Sequence, residues 1–489
     1  MKALKYTTII GLILLSSSCD NFLDVYSETS LSSETYYKTQ SDFEQAVNGA
    51  YAPLRGLYNG NEGAWAMGEL RSDNTTYKFN PNDRGTISGE YIKDFIEEDN
   101  NIIPLNKWVS NYTIISRVNY LLEPIDNIDF DENIKNNLKG QALFLRALSY
   151  LDLVQYFGDI PLHLSPVKSQ DETSLPLSPQ NDIYKQIISD AGTASLLLPG
   201  KAEQEAGRAT KGAAQMVLAN AYINLKQWEK ADSVLNVITG YNLVKPYSMV
   251  FDTSNKNNEE SIFEIQYKEG TEGYASSFFY TFLPQPITAE EITAITGINE
   301  NSRNIEGYNI PTPDIINAYE SGDERKDASI GTIIANGQPC PYIKKYCHPH
   351  ALSGNTDDNW PVYRYAETLL FKAEVANELD RPAEACGYLN DVRERAGLGR
   401  TFSSSDKDAI REAIFKERRV ELAFENKRWL DLVRSGKAEQ VMKDYGNRVK
   451  ANPQAYYFPN GYTVPTSAYT NIPIFYKLPA SDAALSPFF

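Results

Sequence analysis

Apolar residues recur at helical spacing through most of the chain. In 41–57, Phe43, Ala46, Val47, Ala50 and Leu54 line one side, and Ser41 with Glu44 three residues on predicts a capping box at the start. Residues 107–123 and 134–157 read as two more helices. The second is predicted to stop at Gly158, ahead of Pro161, where glycine can cap and proline cannot continue. At 210–239 the pattern reads as two helices joined by a short turn, with Leu218, Ala219, Tyr222 and Ala231 facing inward and Trp228 in the turn. Residues 366–395 repeat that skeleton, with Ala373 and Ala385 spaced as Ala219 and Ala231 are. Small residues at those positions let paired helices approach closely.

The spacing is that of the tetratricopeptide repeat. The predicted fold class is therefore mostly α: a tetratricopeptide-like helical-hairpin scaffold of roughly three or four units. Residues 406–434 read as a further helical segment, with Ile410, Ile414, Glu417, Glu421, Phe424, Arg428 and Leu432 along one side. Glu417, Glu421 and Glu425 step by four with Arg418, Arg419 and Arg428 interleaved. That spacing favours structural bracing by opposite charges over a catalytic carboxylate row. Two stretches break the helical pattern, 58–106 and 240–362. Both are rich in Gly, Pro and Asn, and both read as long loop-rich insertions forming a face for a ligand or partner.

The first residues have a different character. Lys2 and Lys5 precede an apolar run from about Ile9 to Leu15, too short to span a bilayer and suited to a signal peptide. Ser16-Ser17-Ser18-Cys19 then resembles a bacterial lipobox, with Cys19 as the lipidated residue. An ordinary signal peptide with an incidental cysteine is the alternative. The expected organisation is a signal peptide over 1–18 and one domain over 19–489. A net charge of −17 opposes nucleic-acid binding, and three histidines do not make a histidine metal centre. Cys340 and Cys347 flank a short loop and can form a disulfide, ligate zinc with His348 and His350, or remain thiols. The 32 tyrosines suit either a wet binding face or a hydrogen-bonded helical core. No nucleophile elbow, zinc-protease helix, phosphate loop or dinucleotide glycine fingerprint is present, so binding is expected rather than catalysis.

Five segments together carry a family resemblance: Cys19-Asp20-Asn21-Phe22-Leu23-Asp24; Arg146-Ala147 through Tyr150 to Gly158-Asp159-Ile160-Pro161; Arg364-Tyr365-Ala366-Glu367 through Leu389-Asn390, Arg393 and Arg395-Ala396-Gly397-Leu398; Glu417-Arg418-Arg419 through Glu421-Leu422, Phe424-Glu425, Lys427-Arg428-Trp429, Asp431-Leu432 and Arg434; and Tyr476-Lys477-Leu478-Pro479. In this order they resemble the SusD/RagB family of outer-membrane nutrient-binding lipoproteins. The resemblance implies a helical scaffold that covers a SusC-type TonB-dependent transporter, captures oligo- or polysaccharide outside the cell and needs neither cofactor nor metal. The acidic charge favours a neutral glycan. The resemblance places the ligand on the loop face, which implies Trp65, Arg71, Asp73, Asn74 and Tyr77, with Phe79 beside them. From the second insertion it implies Tyr274, Phe279, Tyr280 and Trp360. Each also has a packing reading: Trp65 as a plug, Asp73 and Asn74 as turn caps, 278–282 as a loop's own core or the transporter contact. Trp228 and Trp429 read as core. A relative that binds peptides or another nutrient, and a scaffold that binds only protein, are the alternatives.

Overall fold

The computed structural model describes residues 36–488 apart from 61, 83–86, 97 and 300–304. The signal segment and Cys19 lie outside the described residues. Helices α1 (Gln40–Tyr58), α2 (Ile102–Leu122), α3 (Glu132–Phe157), α4 (Gln180–Leu197), α5 (Lys211–Asn224) and α6 (Trp228–Leu235) pack in succession, each on the next. A second group is α7 (Tyr365–Glu378), α8 (Pro382–Arg395), α9 (Lys407–Glu421), α10 (Arg428–Arg434) and α11 (Ala438–Ala451). Helix α7 joins the two groups by packing on α6 and α9 as well as α8. Ala219, Ala231, Ala373 and Ala385 are fully buried, as close helix approach requires.

Local chemistry explains the boundaries. Helix α1 starts two residues earlier than the Ser41 pattern suggests. Thr39 is extended and accepts from the Asp42 amide, and Asp42 caps back. Two overlapping capping patterns were present, and the upstream one forms. Helix α3 ends at Gly158, φ 79°, a conformation that favours glycine.

The insertions contain short helices and paired strands. Strand β1 (Thr75–Thr76) pairs with β5 (Ile310–Pro311), and β2 (Ile160–Pro161) with β3 (Leu177–Ser178). Strand β4 (Ser261–Ile265) pairs with β8 (Trp360–Arg364), and β6 (Ile330–Ala335) with β7 (Gln338–Ile343). All four pairings are antiparallel. Among the described residues Cys340, Cys347 and Cys386 are free thiols, and no cluster of His, Cys, Asp or Glu is placed to hold a metal. The disulfide and zinc options are therefore not taken.

The segment 406–434 is not one helix. It breaks at 422–427, where Phe424 (φ 68°) and Asn426 (φ 65°) adopt left-handed backbone. The acidic row does brace the fold. Glu421 receives Arg325 Nη1 at 2.9 Å, Arg364 Nη1 at 2.5 Å and the Arg395 guanidinium. Arg364 also donates twice to Glu425, at 2.8 and 2.9 Å, and once to Glu260 at 2.7 Å. Burial alone would raise the Glu421 pKa. Arg395, Arg364 and Arg325 outweigh it and hold the carboxyl ionised, well below its ordinary range. Replacing Glu421 with Ala leaves three guanidiniums short of charge inside the protein. The expected loss of unfolding free energy is about 3–5 kcal/mol, measured by urea titration, with the Arg325→Met/Glu421→Met double variant losing less than the sum of its single changes.

Candidate functional site

The first insertion begins with a π-helical turn, Ala66–Leu70, of a kind that often accompanies special geometry. A Cβ at Gly68 would run into Asn426 and Tyr156, so this turn lies directly on the 422–427 break. Glu69 accepts from the Phe424 and Asn426 amides, each at 3.1 Å, and from Asn74 Nδ2 at 3.0 Å. Those bonds hold the two left-handed residues in place. Burial pushes the Glu69 carboxyl up to about 7, partly offset by its three donors and by Lys345.

Asp73 accepts Arg428 Nε at 2.8 Å and pairs with Arg419 at 2.9 Å. Desolvation opposes its charge, but Arg428 and Arg419 win and hold the carboxyl well below its ordinary range. Asn74 Oδ1 takes Arg419 Nε at 2.8 Å. Arg71 sits among three rings, 4.4 Å from Phe95, 4.9 Å from Trp429 and 4.2 Å from Tyr476. Tyr77 donates to Asp94 at 2.9 Å. Arg71, Asp73 and Asn74, expected to face a ligand, instead dock the first insertion onto α9 and α10, and Tyr77 braces the insertion itself.

The second insertion brings its aromatic residues to the same interior. Trp360 lies between Tyr58 and Tyr346, with ring centroids at 5.2 and 5.6 Å and both pairs nearly parallel. Phe278 meets Trp360 edge-on, and Phe282 meets Trp65 edge-on at 5.0 Å. Tyr280 hydrogen-bonds the His350 ring. Trp65, Arg71, Asp73, Asn74, Tyr77, Phe279, Tyr280 and Trp360 are all buried, and none presents a ring face to solvent. A cavity beside Tyr58 and Trp360 measures about 80 Å³, well below the roughly 300 Å³ of small ligand pockets. It is room for waters, not for a sugar ring.

Tyr274 is the exception. It is 47% exposed, and Arg55 lies 4.7 Å from its ring. Its loop is tied down at both ends. Asn59 Nδ2 donates to Ala275 O at 3.0 Å, and Asn59 Oδ1 accepts from Ser277 N at 2.7 Å. Glu269 Oε1 accepts the Ala351 and Leu352 amides at 2.6 and 3.0 Å, while Asn355 bonds Gly270 through both its oxygen and its nitrogen. The ring is thus displayed on a fixed loop with amides, carboxylates and Lys268 around it.

Phe79 belongs to a second aromatic edge, whose other members, Phe458 and Tyr462, were not foreseen. Phe79 and Tyr462, both half-buried, meet at 4.3 Å, and Tyr462 stacks on Phe458 at 4.9 Å. Phe458 and Tyr462 flank Pro459-Asn460-Gly461, a turn signal between aromatics that the sequence displayed. A hollow of about 550 Å³ lies elsewhere, between α2, residues 161–175 and Leu485. Val109 and Leu485 are exposed there.

Two family models match: the SusD family over residues 338–486, and a family described as starch-binding and associating with the outer membrane over 21–223. Over these two stretches the chain resembles the SusD family. SusD-like protein P2 of Formosa agariphila is 29% identical over 92% of this chain and 94% of its own length. Among solved structures, a laminarin-binding SusD-like protein superposes with TM-score 0.74 at 23% identity, covering 92% of this chain and 98% of that one. Surface glycan-binding protein A of Bacteroides thetaiotaomicron, solved with laminarihexaose, gives 0.71 at 19%, covering 91% and 97%. The helical scaffold of this chain is the one those structures share.

Glu69 titrates in a useful range. Its pKa is raised on folding from 4.5 to about 7. The folded state therefore holds the proton more tightly, and the stability this contributes is full below 4.5 and lost as pH rises through about 7. Wild type should lose stability relative to Glu69→Gln between those values. Denaturation midpoints measured across pH 4.5–8 check this, a constant difference being the contrary result.

Proposed function

We propose that this protein captures glycans at the cell surface and passes them to a SusC-type TonB-dependent transporter. It is tethered through lipid on Cys19 to the outer membrane, facing outward. The observation that carries this reading is the exposed Tyr274 ring on a latched loop, set on a fold shared over nine-tenths of the chain with a laminarin-binding protein. A pyranose offers an apolar C–H face and polar edges. The Tyr274 ring suits the first, and Glu272, Lys268 and Arg55 suit the second. Phe79 and Tyr462 are the next platform. Val109 and Leu485, in the hollow beside α2, supply an apolar face suited to a protein partner such as the transporter.

Affinity electrophoresis of the mature protein through gels containing laminarin and other neutral polysaccharides tests this. Retardation by at least one glycan is expected. Tyr274→Ala should weaken it about tenfold, or about 1.4 kcal/mol, with the unfolding midpoint unchanged. No retardation by any polysaccharide would move the assignment to a peptide or other nutrient.

A further inference from the structure

The hollow between α6, α7, α9 and α10 differs in chemistry from the rest of the molecule. It measures about 380 Å³, enough for a short oligosaccharide. Its walls carry five cationic side chains and two carboxylates, in a chain of net charge −17. Three of the cations are answered: Arg411 by Glu378, Arg434 by Glu374 and Lys437 by Glu412. Two features are not. Lys226 stands exposed at the turn before α6 and pairs with no carboxylate among the described residues. Arg418, 3% exposed, gives Nε to Asp431 and Nη2 to Glu367, while its buried Nη1 meets no acceptor.

A buried donor without an acceptor costs about 1–3 kcal/mol, and a charged one more. An anionic oxygen entering the groove removes that cost. Trp228 forms one wall with its indole half-buried, and Phe415 lies on another. The groove therefore combines a flat apolar surface, an unanswered guanidinium N–H and a free ammonium at its mouth. An inorganic anion would satisfy only the last two. A neutral sugar would leave Arg418 with weaker acceptors.

We propose that this groove is a second saccharide site, for an oligosaccharide carrying uronic acid. The pyranose lies against Trp228, and the carboxylate faces Arg418 Nη1 and Lys226. None of its lining residues belongs to the Tyr274 loop, so the two sites are separate. Lys226 and the open edge of Arg418 reverse, at this groove alone, the preference for neutral glycans that the whole-chain charge suggests.

Isothermal titration of the mature chain with trigalacturonate tests the proposal, with cellotriose and acetate as controls. Trigalacturonate should bind, more weakly as NaCl rises, and neither cellotriose nor acetate should compete. Lys226→Gln, at an exposed position without an ion pair, should weaken binding about tenfold. Trp228→Phe should also weaken it, and Tyr274→Ala should leave it unchanged. Absence of trigalacturonate binding overturns the site. So does affinity equal to wild type in both Lys226→Gln and Trp228→Phe, or equal displacement by acetate, which marks an adventitious anion only. Laminarin retardation is read separately, so failure here leaves the Tyr274 assignment standing.

Discussion

Glu421 is fully buried and faces three arginines that arrive from three different parts of the chain. Arg325 comes from the second insertion, Arg364 from the end of β8 and Arg395 from the end of α8. A carboxylate there without its partners, or a guanidinium without its carboxylates, would be intolerable in the interior. The segments must therefore assemble together. Glu425, Glu260 and Lys345 extend the arrangement, so the insertion cannot shift relative to the scaffold without breaking several charge-assisted bonds at once. This network adds less to net stability than to uniqueness of position, which is what a binding loop built on an insertion requires.

A second lock depends on the first. The turn at 422–427 follows directly from Glu421, and its left-handed Phe424 and Asn426 are held by Glu69 from the other end of the sequence. Asp73 and Asn74 then clasp Arg428 and Arg419. The Glu69-Leu70-Arg71-Ser72-Asp73-Asn74 segment and the Glu417–Arg434 segment are thus two halves of one joint. Each supplies charges that the other buries.

The scaffold was legible because helical periodicity is local. Phe43, Val47, Ala50 and Leu54, or Ala219 and Ala231, state their face without reference to anything distant. The break after Glu421 was not legible, since Phe424 and Leu432 keep helical spacing across it and only Glu69, far away in sequence, imposes the turn. The ligand candidates failed to separate for a related reason. An aromatic residue among Gly, Asn and Pro reads the same whether its loop folds inward, as Trp360 does between Tyr58 and Tyr346, or outward, as Tyr274 does. Tyrosine abundance had two readings, and much of it goes to the interior. Tyr150, Tyr247, Tyr267 and Tyr346 each donate to a backbone carbonyl at 2.7–2.9 Å. Such phenols stitch helices to irregular chain where no regular pairing reaches.

These constraints also explain how one scaffold can carry two chemically different faces. The loop around Tyr274 is fixed by amide-to-side-chain bonds and is polar without strong net charge. The groove beside Trp228 is built from helix surfaces, where ion pairs such as Arg411 with Glu378 set the walls and leave Lys226 and one edge of Arg418 over. Arg418 stands between the groove and the small cavity next to Trp360. Its other donors go to Glu367 and Asp431, which line the small cavity next to Trp360, so the guanidinium stands in the partition between that cavity and the groove. Its Nε and Nη2 bonds hold it regardless of occupancy. A ligand in the groove therefore meets a guanidinium already oriented, and Lys226 is the side chain left to be ordered on binding.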